Sequence, residues 1–193
     1  IKIYHEMNLD GQIGIILNLT PSYPRNENDP EDVKAARLAD AFFNRSFLDP
    51  AIKGTFPEDL VSLLKELDYL PEYTQSELEL IKHNTIDILG INYYQPRRIM
   101  KKESTERLSD NPMPDDYFDN YIWPERKMNP YRGWEIYEKG IYDCLINVRD
   151  NYGNLPCYIS ENGMGVEGEE RFINADGMIE DDYRIEFVQD HLK

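Results

Sequence analysis

The chain has 193 residues, 40% of them hydrophobic and 12% aromatic, which is enough material to bury a core. Its 37 acidic residues against 21 basic ones give a formal net charge of −16. That balance excludes nucleic acid and an anionic membrane surface as main partners, and no apolar run approaches the ~20 residues that a membrane span requires.

The elements follow in chain order. Ile1 to Met7 reads as the end of a helix, and Asp10-Gly11 turns the chain. Ile13 to Leu19 is a nearly continuous apolar run with β-branched residues, which predicts a strand covered on both faces, as in a parallel sheet. Thr20 to Pro24 carries two prolines and is predicted to be loop. From about Pro30 to Asn44, the spacing of Ala35, Leu38, Ala39, Phe42 and Phe43 makes one helical stripe, with Pro30 suited to the first turn. A second helix is predicted from about Pro57 to Asp68. A third, from about Gln75 to His83, opens on a capping box formed by Thr74 and Glu77.

Ile86 to Tyr94 reads as the second strand. Lys101 to Arg132 is polar, with prolines at 112, 114, 124 and 130, and is expected to cross a barrel mouth as a long excursion. A helix from about Trp134 to Asp150 carries Ile141, Cys144, Leu145 and Val148 on one stripe. Cys157 to Ser160 is the third strand, and Gly163 to Asp181 a Gly- and acid-rich loop. A last helix starts near Asp182, with Ile185, Val188 and Leu192 predicted on its buried face. Strands alternating with helices mean an α/β fold with parallel strands and crossover helices. A closed eight-unit barrel takes roughly 250 residues, so three strands are expected to form a partial (β/α)8 TIM barrel that occupies residues 1–193 as one incomplete domain. The two cysteines, Cys144 and Cys157, read as free thiols rather than a disulfide. His5, His83 and His191 show no metal-ligand spacing and are expected at the surface or at helix ends.

Glu161 is the strongest candidate for chemistry. It follows the apolar Cys157-Tyr158-Ile159-Ser160 and precedes Asn162-Gly163, so it falls where a strand stops and the chain turns. Catalytic groups of alternating barrels collect at that end of the strands. A carboxylate held there is suited to attack a sugar's anomeric carbon, a reaction that takes a pair of carboxyl groups; the sequence offers one. Asn92-Tyr93-Tyr94 ends the preceding strand, and side-chain alternation puts Asn92 and Tyr94 on one face with Tyr93 on the other. Neighbouring strands lie roughly 4.8 Å apart, within reach of a Tyr94 hydroxyl donating to Glu161, but from these residues alone plain aromatic packing is the expectation. Asn18, ending the first strand, either faces the mouth as an amide donor or satisfies local backbone. Arg97 and Arg98 either meet a phosphate or pair with the acidic surface, the second being the expectation.

Five blocks carry a resemblance: GQIGIILNLTPSYPR, VKAARLADAFFNRSFLDPAIKG, DILGINYYQPRR, KMNPYRGWEIYEKGIYD and RDNYGNLPCYISENGMGVEGEERF. In this order they resemble glycoside hydrolase family 1 over essentially the whole chain, and within it the bacterial members acting on 6-phosphorylated β-glucosides. The resemblance implies a (β/α)8 barrel and a retaining hydrolase, with Glu161 as nucleophile, Tyr94 hydrogen-bonded to it, and Asn92 and Asn18 in the substrate pocket. Trp134, in the Gly-Trp pair, is read as loop packing. It implies no metal and no organic cofactor, a phosphorylated β-glucoside as small-molecule partner, and a cytoplasmic location.

The chain also departs from the family pattern. The family's acid/base Glu lies in an Asn-Glu-Pro motif that does not occur in this sequence, and Ile1 to Glu6 resembles the end of the helix that follows that motif. The final strand and its phosphate-binding loop have no counterpart here either. The chain is therefore expected to cover roughly barrel units five to seven, in the C-terminal half of a single-domain glycosidase. The missing barrel segments are expected in the rest of a larger parent protein, with another chain or a homo-oligomer as the alternative source. Two alternatives stand beside this: a non-catalytic truncated piece acting at most as a sugar-binding or interaction module, and a phosphate-free β-glucosidase of the same family.

Overall fold

A computed structural model describes residues 1–104 and 113–193. The excursion predicted from Lys101 to Arg132 thus lies partly outside the described residues, Pro112 included. In chain order the elements are helix α1 (Lys2–Glu6), strands β1 (Gly14–Asn18) and β2 (Ser22–Pro24), helices α2 (Pro30–Asp40), α3 (Ser46–Leu48), α4 (Glu58–Glu66) and α5 (Gln75–Lys82), strands β3 (Ile88–Tyr93), β4 (Arg97–Lys101), β5 (Phe118–Asn120), β6 (Lys127–Met128) and β7 (Glu135–Ile136), helix α6 (Lys139–Asn151), strand β8 (Cys157–Asn162) and helix α7 (Asp182–His191).

The main sheet has the order β1-β3-β8, all parallel. Sequential strands joined by helical crossovers are what the alternating pattern dictates. The outer face of the sheet packs against helices: Leu89, Ile91 and Tyr93 join Leu48, Ile141, Cys144, Val148 and Tyr152 in the main core. Burial pushes the Cys144 thiol up to about 12. Helix α2 begins with Asp29 capping Glu31 and with Pro30 in its first turn. It continues through π-helical turns at Ala41–Arg45 and Asp49–Lys53, and ends on Gly54 in the left-handed conformation that a side chain would disfavour. The capping box at Thr74 and Glu77 forms as predicted.

Several expectations change in the folded chain. Strand β1 is covered on one face only: Ile15 and Leu17 turn toward the core, while Ile16 remains 53% exposed on the other side. The proline-bearing segment is not all loop, because Ser22–Pro24 pairs in parallel with Arg97–Ile99 at the edge of a second sheet, β2-β4-β5. An edge position tolerates Pro24, whose missing N–H breaks no central ladder. This small sheet covers part of the expected excursion, and Ala35, Ala36 and Ala39 of α2 pack closely on its Ile99 and Phe118. The helix expected from Trp134 starts only at Lys139, since Glu135–Ile136 pairs with Lys127–Met128. On α7 the predicted apolar face is the exposed one: Ile185, Val188 and Leu192 face outward, and Phe187 with His191 is buried instead. His191 therefore ends a helix but is no surface group. Its ring lies 4.0 Å from that of Phe187, its Nδ1 meets the Phe187 carbonyl at 2.8 Å, and burial lowers its pKa.

Candidate active site

Parallel pairing aligns the ends of the three main strands. Asn18 sits opposite Asn92, and Asn92 opposite Glu161. The second pairing depends on a register shift: Ile91 faces Ile159, but Asn92 faces Glu161, so Ser160 is the extra residue. A bulge of this kind re-aims side chains at a strand end. It lets Ser160 Oγ donate to Asn92 Oδ1 at 2.6 Å while Glu161 stays level with the same asparagine. One row near the C-terminal strand ends thus carries Asn18, Asn92 and Glu161, with one carboxylate among them. The row below holds Ile16, Gly90 and Tyr158. A Cβ at Gly90 would crowd Ile16, Ser160 and Tyr158, so only glycine lets that row close up.

Tyr94, just beyond β3, donates its hydroxyl to Glu161 Oε2. This hydrogen bond, with a little burial, holds the Tyr94 phenol above the usual tyrosine range. Tyr93 points the opposite way, as alternation requires: it is fully buried and donates to the Tyr137 carbonyl at 2.6 Å. Asn162 closes the strand end from the other side, donating to the Tyr93 carbonyl at 2.9 Å. Asn18 is exposed and sits opposite Asn92 in the strand register, and its amide makes no hydrogen bond to a described residue. Of the candidates, Tyr94 and Glu161 touch directly, Asn92 adjoins through Ser160, and Asn18 pairs with Asn92 in the strand register without a side-chain hydrogen bond to either.

The structure adds groups the sequence reading left out or misplaced. Trp134 does pack in a loop, but it packs on the site: its ring meets Tyr94 edge-on, centroids 5.8 Å apart at 67°. The guanidinium of Arg132 also lies over the Trp134 ring, 5.3 Å from its centroid. Arg98 pairs not with the acidic surface but with the buried Glu135, at 2.6 Å. Arg97 makes no ion pair among the described residues; its Nε donates to Thr20 Oγ1 at 3.0 Å, its guanidinium lies 3.7 Å from the Phe43 ring centre, and burial lowers its pKa. A visible signal for Glu135 existed: an acid between Trp134 and Ile136 in an aromatic stretch is a poor fit to a solvated surface. Among the described residues, no group of three His, Cys, Asp or Glu is placed to hold a metal, and no helix is long and apolar enough to cross a membrane.

An exposed carboxylate at a strand end, fixed by a phenol from the next strand in a partial parallel barrel, defines the class, and the comparisons with known proteins place it. The chain belongs to Glycosyl hydrolase family 1, whose model matches residues 1–193. It is 62% identical over its whole length to the 6-phospho-beta-glucosidase GmuD of Bacillus subtilis, of which it covers 41%, and 36% identical to Beta-glucosidase A of Acetivibrio thermocellus, of which it covers 40%. Among solved structures it superposes on the family 1 β-glucosidase of Thermotoga maritima with a TM-score of 0.79 at 30% identity, over 99% of this chain and 39% of that one. The chain therefore spans about two fifths of the length of the relatives it matches.

Proposed function

We propose that this chain supplies the nucleophile half of a retaining glycosidase acting on 6-phosphorylated β-glucosides. The observation that carries the reading is the Tyr94–Glu161 contact across adjacent strand ends. Glu161 attacks the anomeric carbon, the glycosidic C–O bond breaks, and a glycosyl-enzyme ester forms. A second carboxylic acid, roughly 5 Å away, gives its proton to the leaving oxygen and then draws a proton from the water that cleaves the ester. That acid is assigned to a barrel strand outside these 193 residues, because the row of Glu161 holds no other carboxylate. Tyr94 donates to the carboxylate of Glu161 and so fixes its rotamer. Asn92, held by Ser160, and the unengaged Asn18 are assigned to sugar hydroxyls. The 62% identity to a relative named for 6-phosphorylated substrates, against 36% to one named for plain β-glucosides, supports the phosphate. A phosphorylated substrate in turn supports a cytoplasmic location.

The test is Glu161→Gln in the intact protein carrying the complete barrel. Hydrolysis of a 6-phosphorylated aryl β-glucoside is expected to fall about 1,000-fold or more, as for removal of an attacking group elsewhere. Activity near that of the unmodified protein would overturn the assignment. The same assay with the unphosphorylated glucoside separates the phosphate-free reading, which requires comparable kcat/KM on both.

A further inference from the structure

Beside the site lies a buried ion pair that the proposed reaction does not use. Arg98, on β4, and Glu135, on β7, are only 10% and 9% exposed. The guanidinium engages the carboxylate through two nitrogens, with Nη2 to Oε1 at 2.6 Å and Nε to Oε1 at 3.1 Å and to Oε2 at 3.3 Å. Three rings enclose the cation: Trp123, Tyr137 and Tyr23, with centroids 4.3, 4.4 and 4.9 Å from its central carbon. Burial opposes the charge on Arg98, but the Glu135 hydrogen bonds and attraction win, and its pKa rises.

Taking two charges out of water is costly unless geometry and further contacts compensate, so a buried pair is weak evidence of added stability and in some proteins serves to specify an arrangement. The arrangement specified here is that of residues 134–137. Glu135 grips Arg98, Tyr137 stacks on the same guanidinium, and the Tyr137 carbonyl accepts the Tyr93 hydroxyl. Helix α6 can approach Tyr93 this closely because residue 140 is glycine; a Cβ there would collide with the phenol. Between these anchors sits Trp134, whose ring meets Tyr94, and Tyr94 holds Glu161. We infer that the Arg98–Glu135 clamp is a positioning device for the nucleophile, fixing Trp134 so that Tyr94 is held in line with Glu161. This rests on the reading of Glu161 as the nucleophile, and both arginine and glutamate act through Trp134 and Tyr94 rather than on substrate.

The experiment uses the intact protein and a 6-phosphorylated aryl β-glucoside. Glu135→Gln is expected to lower kcat about 10- to 100-fold, the scale of a small misplacement at a reacting centre, with KM changed less than about twofold. Added to Tyr94→Phe, the same substitution is expected to cost little more, because both act on one contact. A second variant guards against misfolding: Arg98→Met with Glu135→Leu removes both charges together, which buried pairs tolerate, and should keep the fold while reproducing the kcat loss. Folded variants with kcat within about twofold of the original, or Glu135→Gln and Tyr94→Phe penalties that simply multiply, would overturn the inference. Glu161→Gln in parallel separates the two readings. Lost activity there beside an unaffected Glu135→Gln sinks the clamp alone, while unchanged activity in Glu161→Gln sinks the functional reading and the clamp with it.

Discussion

On the outer face of the β1-β3-β8 sheet, Leu89, Ile91 and Tyr93 of the central strand are wholly buried under helices, whereas on the inner face Ile16 of β1 is 53% exposed and Tyr158 of β8 48%. Tyr93 and Tyr94 sit one residue apart and mark the contrast. The first is sealed in the core and spends its hydroxyl on a backbone carbonyl; the second lies at the rim and spends its hydroxyl on a carboxylate. Backbone pleating alone separates them, since successive side chains leave a strand on opposite faces. The difference assigns distinct duties to the two faces: the outer one carries stability, and the rim of the inner one carries the proposed chemistry.

That division can be broken by experiment. The largest expected effect is on the outer face, where Leu89→Ala should cost about 2–5 kcal/mol in chemical denaturation, from lost transfer energy and the cavity left behind. A cost below about 1 kcal/mol would mean the outer face is not the stabilising one. At the rim, Tyr94→Phe should leave the denaturation midpoint nearly unchanged but lower kcat about 10- to 100-fold, equivalent to about 1.4–2.7 kcal/mol of barrel-rim stabilisation of the transition state. Its neighbour gives the mirror result: Tyr93→Phe should lower stability by about 1–3 kcal/mol, leaving the part-buried Tyr137 carbonyl without its donor, with a smaller effect on kcat than Tyr94→Phe. Equal kinetic effects at both tyrosines would erase the distinction between the faces.

The smallest expected effect is in pH dependence. His191 is buried beside Phe187 and Tyr93, and burial holds its pKa below the ordinary 6.5, with Glu138 and Asp190 pulling the other way and Lys127 adding to the depression. Below pH 6.5 the unfolded chain takes up a proton that the native chain resists. The contribution of His191 is therefore fully present above pH 6.5 and is lost as the pH falls from there toward the lower native value. His191→Phe should flatten that part of the stability curve; an unchanged slope in the variant would show that His191 is not its source.

Much of the candidate site was legible because it depends on short-range rules. The strand at Cys157 to Ser160, the carboxylate at its end, and the alternation of Asn92, Tyr93 and Tyr94 follow from residue type and period. Sequential strands in an alternating chain pair in parallel, so a Tyr94–Glu161 contact over 67 residues of sequence was within reach, but pairing alone favoured plain aromatic packing and only the family resemblance implied the hydrogen bond. The one-residue register shift at Ser160 was not legible, because the period of two offers no warning of a bulge. Nor was the orientation of α7, where two stripes compete: Ile185, Val188 and Leu192 are the more apolar set, yet Phe187 and His191 find the partners, Tyr93 and Met164 among their surroundings.

The sequence by itself determined where the three main-sheet strands and helices α2, α4 and α5 fall, which residue caps α5, and that an acid ends β8, because each of these is settled by neighbours within about one turn or one pleat. Only the tertiary structure decided that Arg98 would find Glu135 instead of the surface, that Trp134 would lean on Tyr94, and that a proline-bearing stretch would pair as an edge strand. Those outcomes depend on segments brought together by crossover connections, where desolvation and the supply of partners, rather than local propensity, select which contacts form.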